Sequence, residues 1–232
     1  AYLTDTIMLA SLKPSTGQAS LISFPRDLVS PVSGWQKINS INAYAEKKEP
    51  GSGGKATAEA FSNLLQIPID YYIRIDFSGF VEIIDELGGI EVNVENTLND
   101  YSYPIMGQED NPNYYARFEH LQIKAGPQTM DGKTALKYAR SRHGVAGEGS
   151  DFARAKRQQL VIEAVKNKLL SAKTLLNPVM LARLSEQLNA NISTNLNTWE
   201  GLRLFDLAKE IDRSEIINQV LSDAPDNLLV SG

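Results

Sequence analysis

The chain contains no cysteine, which excludes a disulfide framework, a thiolate metal site and a cysteine nucleophile. No run of apolar residues is long enough to span a bilayer, and no signal peptide is visible. Internal repeats and low-complexity segments are also missing. With a formal net charge of −5, the chain lacks the basic excess that broad nucleic-acid binding requires. What remains is an ordinary globular composition over 232 residues. That is enough chain for one substantial core, and nothing reads as a linker, so residues 1–232 are expected to form a single domain.

Against this acidic background one stretch is basic. Between residues 133 and 157 stand Lys133, Lys137, Arg140, Arg142, Arg154, Lys156 and Arg157, with only Glu148 and Asp151 opposing them. Asp131 is placed to cap a helix whose apolar side is Ala135, Leu136 and Ala139. Residues two apart do not share a helix face, so that helix is expected to unwind near Arg140 and let Arg140 and Arg142 turn to one place. A Gly-rich loop, GVAGEGS, follows, and a second helix is expected from Ser150 or Asp151. Arg154, Arg157 and Gln158 fall on one face of it, near an N-terminus whose free amides and dipole add positive potential. Arginines at a helix start make a phosphate seat, since the guanidinium fork contacts phosphate bidentately. The competing reading is a set of surface ion pairs with Glu148, Asp151 and Glu163.

Upstream, residues 4–12 and 19–24 read as two strands around the turn cluster KPSTG. In an antiparallel hairpin the start of the first strand and the end of the second share an edge, so Asp5 and Arg26–Asp27 should be neighbours. An Asp beside an Arg suits a magnesium ion and a charge clamp, because magnesium takes one or two carboxylates with phosphate oxygens and water. Lys37, Asn39 and Asn42 precede a short helix ending at Lys48, PGSGG reads as a flexible turn, and residues 55–66 as an amphipathic helix. Residues 69–76 alternate as a strand carrying an Arg74–Asp76 pair, Ser78 is expected to cap the next helix, and residues 90–94 form another strand. Together these predict a right-handed βαβ unit. Residues 96–120 read as irregular, with His120 structural and His143 bordering the arginine pair. Helices over residues 178–189 and 198–211 and a closing strand over 216–221 complete the chain.

The segment TMDGKTALKYARSRHGVAGEGSDFARAKRQQ resembles the signature of the LytR–CpsA–Psr family of cell-envelope transferases. TDTIML, SFPRD, KINSINAYA and IDYYIRIDFSGFVEIIDELGGIEVNV support it in the family's order, and the motifs together span about two thirds of the chain. The resemblance implies an α/β fold with a mixed central sheet flanked by helices. It implies a phosphotransferase that moves a glycopolymer from a polyprenyl-pyrophosphate carrier onto peptidoglycan, with the polyprenyl chain in a hydrophobic tunnel. Asp5 matches the metal-binding Asp of a magnesium site and Arg26 a pyrophosphate contact. Arg140, Arg142, Asp151 and Arg154 match the catalytic cluster, with Lys37, Arg157 and Gln158 joining the substrate contacts. It further implies an N-terminal membrane anchor preceding this sequence, and a location on the extracellular face of the cell membrane.

Two departures stand out. Leu3 occupies a position where the family usually has Arg, and the family's other metal-binding Asp would lie before residue 1. Asp27 and Asp151 are the candidate general bases. Hydrolysis of the same lipid, or lipid binding without catalysis, would use the same seat.

Overall fold

The computed structural model describes residues 3–211 and 216–221, and these divide into two compact units, one of residues up to Ile75 together with those from Ile192, the other Asp76–Asn191. Both are mixed α/β, as the sequence implied. Among the described residues no helix is long and apolar enough to cross a membrane.

The first unit is built on the predicted hairpin. Strands β1 (Ile7–Lys13) and β2 (Gln18–Phe24) pair antiparallel from Ile7 opposite Phe24 to Lys13 opposite Gln18. The closing strand β11 (Ile216–Val220) joins β2 in parallel, giving a three-stranded mixed sheet. The short strands β3 (Val29–Ser30) and β4 (Gln36–Lys37) pair next, followed by helices α1 (Ser40–Lys48) and α2 (Gly53–Leu65). Phe24 meets Phe61 of α2 edge-on at 4.8 Å, and Ile38 is buried with them.

Helix α2 begins earlier than its pattern suggests. Glu46 of α1 accepts hydrogen bonds from the amides of Gly51 (3.0 Å) and Gly53 (2.9 Å), capping the helix that the Ser52 side chain does not cap. The same carboxylate pairs with Arg74 at 2.6 Å. The Gly51 amide, then that of Gly53 and the Arg74 charge, hold Glu46 below the usual glutamate range against the opposing effect of burial.

The predicted strand over residues 69–76 shrinks to β5 (Ile73–Ile75), which pairs with β10 (Ile192–Thr194). Before it, the Asn195 carboxamide bonds the Tyr72 amide (2.9 Å) and the Asp70 carbonyl (2.8 Å), taking the place of a backbone ladder. Arg74 therefore pairs with Glu46, not with Asp76. Helix α8 (Thr198–Glu210) starts from a capping box formed by Asn197 and Glu200.

The second unit opens on α3 (Phe77–Glu86), capped by Asp76, which accepts from the Gly79 amide at 2.8 Å; Ser78 is not the cap. Strand β6 (Ile90–Val94) buries Ile90, Val92 and Val94 and pairs antiparallel with β9 (Gly126–Met130). The predicted βαβ unit is therefore not formed: β5 and β6 each take an antiparallel partner. The stretch read as irregular contains β7 (Leu98–Pro104) and β8 (Phe118–Ile123), an antiparallel pair whose register shifts between Asp100 and Tyr103. Its Tyr, Asn and Pro content hid the alternation, because the bulge breaks the period of two. Helices α4 (Gly132–Arg140), α5 (Asp151–Leu169), α6 (Ala172–Leu175) and α7 (Pro178–Asn191) complete the unit. α3 packs against α4 and α7, and α5 against α4 and β6, over a core that includes Ile84, Leu98, Met130, Tyr138 and Val161.

Gly132 sets the approach of α4 to α3. Its amide donates to Asp85 at 2.7 Å, and a Cβ there would lie 2.3 Å from the Val81 carbonyl oxygen. Helix backbone cannot yield as a flexible side chain can. Gly132→Ala is therefore expected to destabilise the protein by about 1–3 kcal/mol, the range for overpacking. A lower denaturation midpoint at constant m-value would show it, and an unchanged midpoint would contradict the packing described.

Candidate anion site

Helix α4 begins and ends as its sequence requires. Asp131 accepts from the Thr134 amide at 2.7 Å, and the Thr134 side-chain and backbone groups hold the Asp131 carboxyl below its ordinary range. At the other end the helix stops at Arg140, and Ser141 follows with φ −53° and ψ 135°. The last carbonyls of a helix have no partner within it. Here Arg157 and Gln158 of α5 supply them: Arg157 Nε donates to the Tyr138 carbonyl (2.9 Å), its Nη2 to the Ser141 carbonyl (2.6 Å), and Gln158 Nε2 to the Ala139 carbonyl (3.2 Å). Arg157 Nη1 also holds Glu148, through its carbonyl at 2.7 Å and its carboxylate at 2.8 Å. The Arg157 side chain is only 3% exposed. These two residues, expected among the substrate contacts, are committed to fixing the end of α4 and the loop beyond it.

The loop itself is tight. A Cβ on Gly144 would lie 2.7 Å from Leu98 Cδ1, and one on Gly149 would lie 2.7 Å from the Gly144 carbonyl oxygen. The glycines that read as a hinge thus serve close packing. Ser150 then caps α5, accepting from the Ala153 amide at 3.1 Å.

On this frame three predicted residues come together. Asp151 Oδ1 lies 3.0 Å from Arg154 Nη2 and 3.9 Å from Arg142 Nη2, so one carboxylate oxygen faces two guanidinium groups in the first turn of α5. Arg154 is buried, while the Arg142 side chain is 39% and that of Asp151 52% exposed. The ion-pair reading therefore holds for Asp151, whose one exposed carboxylate faces both guanidinium groups. Arg140 lies with its guanidinium 4.0 Å from the centre of the Phe77 ring. Its charge is also the smallest of the influences lowering Glu109, after backbone hydrogen bonds from Glu109 itself and Gly107.

Other titratable groups are placed elsewhere. Tyr138 is pushed up to about 12 by burial, so it is a neutral phenol at physiological pH. His143 is exposed, and His120 stacks on Tyr101 at 4.3 Å. Arg117 bonds the Asn111 carbonyl and does not join the seat. A cavity of about 270 Å³ opens along α5, lined among others by Glu95, Tyr138, Glu148, Lys156 and Leu160. Arg140, Arg142 and Arg154 do not line it.

In the first unit the predicted neighbours do meet. Arg26 Nη1 bonds Asp5 Oδ1 directly, and Asp27 stands 2.9 Å from Lys37 Nζ and 3.9 Å from Arg26 Nε. Asn39 ties the group together by its backbone, accepting from the Thr4 amide (3.1 Å) and donating to the Arg26 carbonyl (3.3 Å). Among the described residues no cluster of three or more His, Asp or Glu could cage a metal. Asp5 contributes one part-exposed carboxylate to this group, and its Oδ1 is bonded by Arg26.

Removing Arg157 would take the cation from the largely enclosed Glu148 carboxylate and the donors from the Tyr138, Ser141 and Glu148 carbonyls. Arg157→Ala is expected to destabilise the protein by about 3–5 kcal/mol, read as a loss of the folded baseline in urea. Stability within 1 kcal/mol of the parent, roughly the level of a surface change, would refute the clamp. The Asp131 cap gives a pH signature. Because its folded carboxyl titrates below the unfolded one, its contribution is complete above about pH 4 and is lost as pH falls through the depressed value. Asp131→Ala should cost about 1 kcal/mol at neutral pH and show a smaller stability loss on acidification than the parent; parallel acid-stability curves would contradict this.

Comparison with known proteins agrees with this architecture. The LytR_cpsA_psr family model matches residues 2–228. The polyisoprenyl-teichoic acid–peptidoglycan teichoic acid transferase TagV of Bacillus subtilis (strain 168) is 31% identical, over 97% of this chain and 54% of that protein. The cell wall biosynthesis protein LcpA of Corynebacterium glutamicum is 30% identical, over 90% of this chain and 40% of its own. The chain thus spans about half, or less, of the length of these relatives. The crystal structure of Bacillus subtilis TagV superposes with a TM-score of 0.67 at 30% identity, covering 95% of this chain and 77% of that one. The chain belongs to the LytR_cpsA_psr family.

Proposed function

We propose that the protein is a phosphotransferase of the cell envelope that moves a glycopolymer from a polyprenyl-pyrophosphate carrier onto peptidoglycan. The observation that carries this reading is the shared Asp151 oxygen. Asp151 presents one exposed carboxylate oxygen to both Arg154 and Arg142 at a helix N-terminus, which is the kind of contact a diphosphate oxygen makes with a guanidinium group. The relatives TagV and TagU are named as polyisoprenyl-teichoic acid–peptidoglycan teichoic acid transferases, which supports the substrate class.

In this reading Arg142 and Arg154 grip the diphosphate, Arg140 adds positive charge, and Asp151 is the counter-ion displaced on binding. In the first unit, Arg26 and Lys37 are read as phosphate-contact positions on the strength of the family motifs they occupy. Asp5 would hold a magnesium ion, which when bound supplies positive charge to phosphate oxygens. The acceptor is a sugar hydroxyl of peptidoglycan. Its oxygen bonds the phosphorus attached to the glycan and gives up its proton, the bond from that phosphorus to the bridging oxygen breaks, and polyprenyl phosphate leaves with that oxygen. The protein's contribution is placement and charge stabilisation, which dominate phosphoryl transfer generally. The reaction is assigned to the outer face of the cell membrane, a reading supported by the cell-wall names of the relatives.

The test is incubation of the protein with lipid-linked glycan, with and without peptidoglycan. Transfer yields glycan covalently bound to the wall, and Arg154→Ala should lower its rate by about 10²–10³, the loss typical of a removed electrostatic donor. Free phosphorylated sugar formed equally with or without peptidoglycan would make the protein a hydrolase. No turnover with intact lipid binding would make it a carrier-binding module.

A further inference from the structure

Asp100 lies in the interior, 0% exposed, on the bulged part of β7. It lines no part of the anion seat, and neither the family signature nor the reaction calls on it. Its carboxylate accepts three hydrogen bonds from neutral donors: the Ser141 hydroxyl at 2.7 Å, the Ser102 amide at 2.9 Å and the His143 amide at 3.3 Å. Among the described residues no cation stands within ion-pair distance of it. A buried carboxylate is costly, and an apolar side chain would serve packing alone better. An acceptor-only group is needed because three donors converge, and an amide in its place would turn N–H toward one of them.

The donors identify what is being held. Ser141 is 1% exposed and sits between Arg140 and Arg142. Its hydroxyl goes to Asp100, its carbonyl accepts from Arg157, and its amide donates to the Lys137 carbonyl at 3.0 Å. Residues 143–145 are tied to the same strand through His143, a bridge between Gly144 and Asp100, and the Val145 amide on the Asn99 carbonyl at 2.9 Å. Asp100 is paired with Leu121 and is the last residue of β7 before its register shifts, and such irregularities recur beside sites where one side chain must be re-aimed.

We infer that Asp100 is a positioning residue for the arginine pair: through the Ser141 hydroxyl it fixes the turn after α4, and so the direction in which Arg142 reaches the diphosphate. This inference rests on the proposed anion seat. Because long arginine side chains lose much rotamer freedom when held, a fixed base lowers what must be ordered on binding.

The experiment is a double-mutant cycle on the whole protein, reading pyrophosphate binding by calorimetry and transfer from lipid-linked glycan as kcat and KM. Ser141→Ala removes one hydroxyl and keeps every other bond of Asp100, so it carries the test if Asp100→Asn fails to fold. With Arg142 present, Ser141→Ala should weaken pyrophosphate binding and lower kcat/KM by about tenfold, the scale of a hydrogen bond to a charged group, with the protein still folded at the assay temperature and its thermal midpoint lowered equally in both backgrounds. In an Arg142→Ala background the same change should have almost no further effect on binding or kcat/KM. Equal losses of binding in both backgrounds would make Ser141 and Asp100 merely structural and overturn the inference, as would an unaltered pyrophosphate affinity in Ser141→Ala. Arg154→Ala separates the two levels. If it leaves pyrophosphate binding untouched, the anion seat itself is wrong and the inference falls with it; if it abolishes binding while Ser141→Ala does not, only the positioning role fails.

Discussion

Arg157 reaches across from α5 to the open end of α4, and the geometry of the candidate site follows from that contact. Its Nε and Nη2 satisfy the Tyr138 and Ser141 carbonyls while its Nη1 anchors Glu148 at the far side of the loop. Helix end, loop and following helix become one rigid piece. Without such donors the carbonyls at the end of α4 would face a buried environment unpaired, which a folded interior does not tolerate. The arginines that carry the proposed chemistry are therefore mounted on an arginine that carries none. Division of labour within a run of like charges explains why so basic a segment persists in a chain of net charge −5.

Much of this was legible beforehand. The Asp131 cap, the break after Arg140 and the start of α5 at Ser150 follow from local side-chain chemistry, and all three are found. The hairpin register placed Asp5 beside Arg26 for a reason that needs only antiparallel pairing. Hidden from sequence was which arginine does what. Arg154 and Arg157 share a helix face by spacing, yet one meets Asp151 and the other is enclosed by α4 and the loop. Spacing gives direction along a helix but not what the neighbouring element presents. Asp100 was invisible for a similar reason, since its meaning depends on a bulge that conceals strand β7.

The errors in the element reading share a cause. Glu46 caps α2, Asn195 replaces a ladder before β5, and Asp76 displaces Ser78 as the cap of α3. In the first case the cap comes from the preceding helix, and in the second a side chain distant in sequence supplies what a strand ladder was expected to supply. In the third, two neighbouring residues were both competent caps, and Asp accepts a backbone amide at least as well as Ser. The βαβ reading failed because β5 found β10 from far along the chain, a long-range pairing that periodicity does not register.

The central claim is that Arg142 and Arg154 form an anion seat whose resting occupant is Asp151. A crystal structure with inorganic pyrophosphate, compared with one grown without it, measures this directly. The account predicts phosphate oxygens within hydrogen-bonding distance of Arg142 and Arg154 and the Asp151 carboxylate turned away from both. Pyrophosphate bound elsewhere, with Asp151 still against Arg154, would contradict it.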